Sequence, residues 1–161
     1  MAEGEDAARV RWCASAPVFA RTIAKDLQRR CQRILEEHGL AKMHMAFIFT
    51  LSSGGATLGD LSGRLDVDKA HVTRAVAFLA ERGLARDDRE SEKSRNYKVF
   101  LTAKGEAVAT DLKRVMSDAF ADYMRGVSDE EIRVLMSVQG RIRSNIDPDG
   151  KLGDEHRGCG F

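Results

Sequence analysis

Apolar residues recur every three or four positions along most of the chain, and glycines or capping side chains cut the recurrence into segments. Val18, Ile23, Leu27, Cys31, Ile34 and Leu35 keep helical spacing up to Gly39. Ser15 is suited to cap this segment and Pro17 to its first turn, so a long first helix is expected over 15–39. A second apolar helix follows from Lys42 to Leu51, stopped by the Ser-Ser-Gly-Gly run that begins at Ser52. Thr57 then caps a short segment that turns Leu58, Leu61 and Leu65 inward. Asp68 caps the next helix, whose Val72, Val76 and Leu79 share one face before Gly83 ends it. Beyond Leu84 the period shortens to two. Tyr97, Val99 and Leu101 alternate with Lys98 and Phe100, which predicts a β-hairpin whose polar tip is the charged stretch Asp87–Asn96. Thr102 caps a long helix reaching about Arg125, and Ser128 with Glu131 forms a capping box for a last helix ending near Asn145.

The expected fold is therefore mainly α with a small β-hairpin. Helix, short turn, helix and hairpin is the order of a winged helix-turn-helix, here over about 42–101. The domain spans 15–145, with a flexible segment over 1–14 before it and a flexible tail over 146–161. Its 161 residues suffice for one hydrophobic core without disulfides or metal. The first dozen residues are too charged for a signal peptide and the longest apolar run is too short to span a bilayer, so a cytoplasmic protein with no membrane partner is expected. Three cysteines, an odd number without short spacing, fit a reducing compartment rather than a disulfide framework. Net charge is only +1, so any attraction for nucleic acid must come from local clusters.

Such clusters exist. With Val72, Val76 and Leu79 packed inward, the helix after Asp68 presents Lys69, Ala70, His71, Thr73 and Arg74 at its N-terminal half, where a reading helix contacts base edges. Arg74 has the fork to donate twice to guanine, His71 and Thr73 suit base edges or phosphates, and Lys69 suits a phosphate. The hairpin tip adds Arg89, Lys93 and Arg95, an arm of the kind that reaches phosphate or a narrow minor groove. Each charge taken singly is better explained as a solvated surface residue; it is the ordered combination that points to double-stranded DNA.

Two stretches then carry a family resemblance. The run over 59–84, Gly-Asp-Leu-Ser-Gly-Arg-Leu-Asp-Val-Asp-Lys-Ala-His-Val-Thr-Arg-Ala-Val-Ala-Phe-Leu-Ala-Glu-Arg-Gly-Leu, and the later Leu-Thr-Ala-Lys-Gly over 101–105 resemble MarR-type regulators. The likeness extends from about Val18 to Ile142. It implies a homodimer held by the first and last helices (15–39 and 102–145), a pseudo-palindromic DNA site with half-sites roughly 34 Å apart, and a repressor released by a small-molecule effector. Val67, Asp68, Lys69, Val72, Thr73, Arg74, Leu79, Arg82, Gly83 and Leu84 match the pattern, and Arg95 falls where the family keeps a wing arginine. Two departures stand out. Lys93-Ser94-Arg95 replaces the usual Asp-Arg-Arg at the wing tip, and Ala77-Phe78 replaces a usual polar pair on the reading helix.

For the effector, the resemblance implies a small aromatic anion, an oxidant or a metal acting where the dimer helices meet the DNA-binding part. A cleft for an organic ligand lined by the first two helices is expected near Phe19, Met43, His44 and Phe47, residue types that more often serve as plain core. A thiol-based oxidant sensor would use Cys13, placed where peroxide-sensing relatives keep a reactive cysteine. Cys13 and Cys31 lie too far apart along one helix to bridge within a chain, Cys31 reads as a buried hydrophobe, and Cys159 is in the tail. Cys31, His38 and His44 lack the spacing that sets two ligands on one helix face, so no metal is expected. No phosphate loop, nucleophile elbow or spaced carboxylate pair is found, so neither enzyme activity nor a cofactor is expected. The rival reading is a protein-binding helical adaptor that has lost DNA contacts. Aromatic residues, at 6%, are too few for a single-strand stacking platform.

Overall fold

The computed structural model describes residues 2–89 and 97–148, with the side chains of the first few left aside. Six helices and three short strands follow one another: α1 Ala2–Glu37, α2 Lys42–Ser52, β1 Ala56–Thr57, α3 Leu58–Leu65, α4 Lys69–Glu81, β2 Ala85–Asp87, β3 Lys98–Leu101, α5 Ala103–Tyr123 and α6 Asp129–Ile146. The capping residues set these boundaries as expected. Thr57 accepts from the Asp60 N–H, Asp68 from the His71 N–H, Thr102 from the Gly105 N–H and Ser128 from the Glu131 N–H, so each supplies an acceptor to the unpaired donors of a first turn.

The first boundary is a correction. α1 does not start at Ser15 but is helical from Ala2, and Pro17 lies inside it. Ser15 does not cap; its hydroxyl donates back to the Trp12 carbonyl. Helix propensity without a stop signal carries the helix through the segment expected to be flexible. At 36 residues and about 1.5 Å per residue, α1 is ~54 Å long. Only its last third joins the core, through Cys31, Ile34 and Leu35. Val18, expected to face inward, is exposed, because the N-terminal part of α1 runs past the body of the chain. The last-third residues pack with α5, whose Val108, Ala109, Leu112, Met116 and Ala119 form a buried stripe. By contrast α6 buries no side chain at all.

The hairpin expected after Leu84 is one part of a three-stranded antiparallel sheet ordered β1-β3-β2. Ala56 pairs with Val99 and Thr57 with Lys98, while Ala85 faces Leu101 and Asp87 faces Val99. β1 escapes periodicity because two residues carry no period. Glycine makes its pairing possible: a Cβ on Gly55 would sit 2.2 Å from the Phe100 ring. At the other end of the sheet, a Cβ on Gly105 would lie 2.1 Å from the Leu84 carbonyl oxygen, so only glycine lets α5 start against the β2 entry. The Thr102 hydroxyl donates to the Gly83 carbonyl at 2.6 Å and closes the same corner.

Candidate nucleic-acid interface

The turn between α3 and α4 is held by one left-handed residue and two hydrogen bonds. Asp66 takes the left-handed conformation (φ 49°) as the C-cap of α3, the Val67 N–H donates to the Ser62 carbonyl, and the Ser62 hydroxyl donates to the Val67 carbonyl at 2.7 Å. Asp68 then opens α4, and its carboxylate, accepting from the His71 N–H with Arg74 nearby, is held below the usual carboxylate range. Val72, Ala75, Val76 and Leu79 recur at i, i+3, i+4 and i+7 and are buried. The opposite face, Lys69, Ala70, Thr73, Arg74 and Ala77, is exposed. Helix and turn together display a short, convex, mixed basic and small-residue surface of the width a major groove accepts.

Within that face the expected readers divide. Lys69 and Arg74 project freely into solvent. Thr73 is exposed, but its hydroxyl donates to the Lys69 carbonyl at 2.8 Å, which leaves its lone pairs and methyl for an incoming ligand. His71 turns partly inward, with its ring centroid 6.1 Å from that of Phe47, so it belongs to the flank of the reading surface rather than its crest. On the wing, Arg89 lies over the Tyr97 ring at 4.4 Å and is ion-paired with Asp87 at 2.6 Å, folded back on its own hairpin. Arg86, at 5.2 Å over Phe100, adds an exposed cation to the strand face that sequence reading missed, since nothing in its neighbours distinguishes it. Lys93 and Arg95 lie outside the described residues.

The expected effector cleft needs correction. His44 and Phe47 are buried, 6% and 2% exposed, whereas Phe19 and Met43 are 62% and 44% exposed in the single chain. α2 is covered on every side over Phe47–Leu51, whereas Met43 lies in its exposed first turn, and Phe19 sits on the projecting part of α1. The four therefore do not line one cleft within a chain. His44 instead stacks on Phe78 of α4, with centroids 4.2 Å apart and planes 10° apart. That contact accounts for the aromatic residue at 78. Of the thiols, Cys13 is exposed on α1, while Cys31 is buried and burial pushes its thiol up.

A polar clasp that sequence reading did not find joins α1 to α5. Arg30 donates to Asp26 at 2.6 Å and to Asp122 at 2.8 Å, and the Tyr123 hydroxyl donates to Asp26 at 2.6 Å. The bonds from Tyr123, Arg29 and Arg30 hold the Asp26 carboxyl well below the usual range. Its two bonds between the helices join residues more than ninety positions apart, so no local pattern announces the link.

No family model matches the chain. Over 115 residues, 71% of this chain and 78% of the relative, it is 27% identical to the HTH-type transcriptional regulator BilQ of Clostridioides difficile (strain CD3). Among solved structures, the MarR family transcription regulator SP03579 matches with a TM-score of 0.75 at 21% identity, covering 92% of this chain and 99% of that one. Staphylococcus aureus MarR in complex with salicylate and kanamycin matches with a TM-score of 0.71 at 18% identity, over 85% of this chain and 95% of that one. The architecture is that of these regulators, as the resemblance in 59–84 and 101–105 implied.

Proposed function

We propose that this chain, which has the MarR-type winged-helix fold, is a homodimeric regulator of transcription that reads a pseudo-palindromic site in double-stranded DNA. It acts without covalent chemistry, as a repressor that a small-molecule effector releases. The observation that carries the reading is α4. One face is wholly buried, the other offers Lys69, Thr73 and Arg74, and the helix is set by a tight turn beside a basic hairpin. Lys69 takes a phosphate, Arg74 reads a base edge, and Thr73 and His71 add contacts beside them. Arg89, Lys93 and Arg95 form the wing contact.

Dimerisation is supported by what a single chain leaves uncovered. Val10, Trp12, Val18 and Phe19 on α1 and Val134, Leu135, Met136 and Ile146 on α6 are exposed. Apolar side chains in that number on two helices mark an association surface. The effector's identity rests on the resemblance alone; the solved Staphylococcus aureus relative is held with salicylate, and aromatic carboxylates are the first class to try against the DNA complex.

The test is selection from a random pool of DNA duplexes at two salt concentrations. Recovery of an inverted repeat, with affinity falling as salt rises, is expected. Absence of binding at low salt would overturn the reading in favour of a protein-binding adaptor.

A further inference from the structure

Phe78 sits at the centre of a column that crosses from α2 to the end of α4. On one face lies the His44 imidazole, nearly parallel to the ring at 4.2 Å. On the other lies the Arg82 guanidinium, 3.4 Å from the ring centroid, with a hydrogen bond from Arg82 to the Phe78 carbonyl. Arg82 in turn lies against the Gly39 turn that separates α1 from α2, and its carbonyl accepts from the Lys104 ammonium of α5 at 2.9 Å. The column ties the reading helix to α2, to the α1–α2 turn and to the start of α5.

His44 is the member whose chemistry is conditional. Its Nδ1 accepts from the Ala41 N–H at 2.9 Å, so it serves as the acceptor for an otherwise unpaired donor ahead of α2. That role requires an unprotonated Nδ1. A proton there would face a backbone N–H, would place a cation in the first turn of a helix where the macrodipole is positive, and would set a second cation on the ring already carrying Arg82. The side chain is 6% exposed, so water does not relieve the conflict. Among the described residues, the charged and titratable groups acting on it are Arg82 and His71, both on the α4 segment. Burial first, then Arg82 and His71, push its imidazole below its ordinary value.

We propose that the His44–Phe78–Arg82 column is the positioning element of the reading helix, and that protonation of His44 releases it and weakens DNA binding in acid. The inference rests on the DNA-reading function proposed for α4. The sign follows from linkage. The unfolded chain takes up the His44 proton more readily than the folded one, so the contribution of His44 is complete above the ordinary imidazole range. It is lost as pH falls through that range toward the lower folded value.

Two measurements separate this from a failure of the function itself. First, without DNA, the His44 ring is titrated by NMR in the wild-type chain and in Arg82→Gln. A midpoint below that of a free imidazole, moving up in Arg82→Gln, is expected; an ordinary midpoint, or one indifferent to Arg82, overturns the proposal. Second, affinity for the selected duplex fraction is compared at pH 7.5 and 5.5 for wild type and for His44→Asn, which keeps an acceptor near the Nδ1 position and does not titrate. Wild type is expected to lose about fivefold or more in acid, the lower end of typical coupling, and His44→Asn to lose much less. Equal losses in wild type and His44→Asn overturn the proposal while the DNA-reading function stands. Absence of binding by wild type at pH 7.5 overturns both.

Discussion

Arg74 projects from the middle of the exposed face of α4 and Lys69 from its first turn, and their chemistry separates their roles. A guanidinium has two parallel donors to match a guanine edge, while an ammonium is a point charge for a phosphate. Arg74→Ala is expected to cost about 1–3 kcal/mol of DNA binding and to relax preference at one base position. Lys69→Ala is expected to weaken all sequences alike and to lower the salt slope; titrations against selected and scrambled duplexes check both. Sequence pattern sufficed to place these two residues on the exposed face, because an exposed position opposite an apolar stripe follows from local spacing. It did not show that the position of His71 on the helix brings its ring against Phe47. Gly105 is the opposite case. Nothing around it in the chain signals its role, yet the Leu84 carbonyl occupies the place of its Cβ. Gly105→Ala is expected to destabilise by about 1–3 kcal/mol, the usual range for overpacking, measured by denaturant unfolding.

Helices here are bounded by side chains within three positions of their ends, which is why most boundaries could be read in advance. Thr57 shows the device in full: its hydroxyl accepts from the Asp60 N–H while the Asp60 carboxylate accepts from the Thr57 N–H at 2.9 Å. Thr57→Ala is expected to lower stability by about 1 kcal/mol, with the loss of protection in amide exchange concentrated in α3. Strand β1 is set by other means. It exists because Gly55 lets the chain pass against Phe100 and because β3 presents a free edge. Likewise the helical start at Ala2 had no capping signal to mark it, and Ser15 and Pro17 together imitated one.

Among the described residues, α1 and α6 each leave several large apolar side chains open, at opposite ends of the sequence. Trp12, the one tryptophan of the chain, is 51% exposed there and reports on whether a second copy covers it. Its emission is expected to be blue-shifted at micromolar concentration and to shift red on dilution as the dimer dissociates. Leu135→Asp, on the α6 face that also carries Val134 and Val138 beside Glu130 and Glu131, is expected to yield monomers by sedimentation and to lose DNA affinity, while helicity is largely retained. An unchanged dimer in Leu135→Asp would remove α6 from the interface. The clasp of Asp26, Arg30, Asp122 and Tyr123 fixes α1 on α5.

Local order was therefore decided along the chain. Helical period, caps, the αL turn residue and the two-residue alternation of the hairpin all act over a few positions, and these alone assign a winged helix-turn-helix with Lys69 and Arg74 outward. What depended on folding were the meetings of distant residues: His44 with Phe78 and Arg82, Asp26 with Tyr123, Gly55 with Phe100, and the turning of Met43 and Phe19 to solvent. Such contacts arise because a buried polar atom must find a partner and a packed side chain must find space wherever the tertiary arrangement supplies them, and neither requirement leaves a mark at fixed sequence spacing.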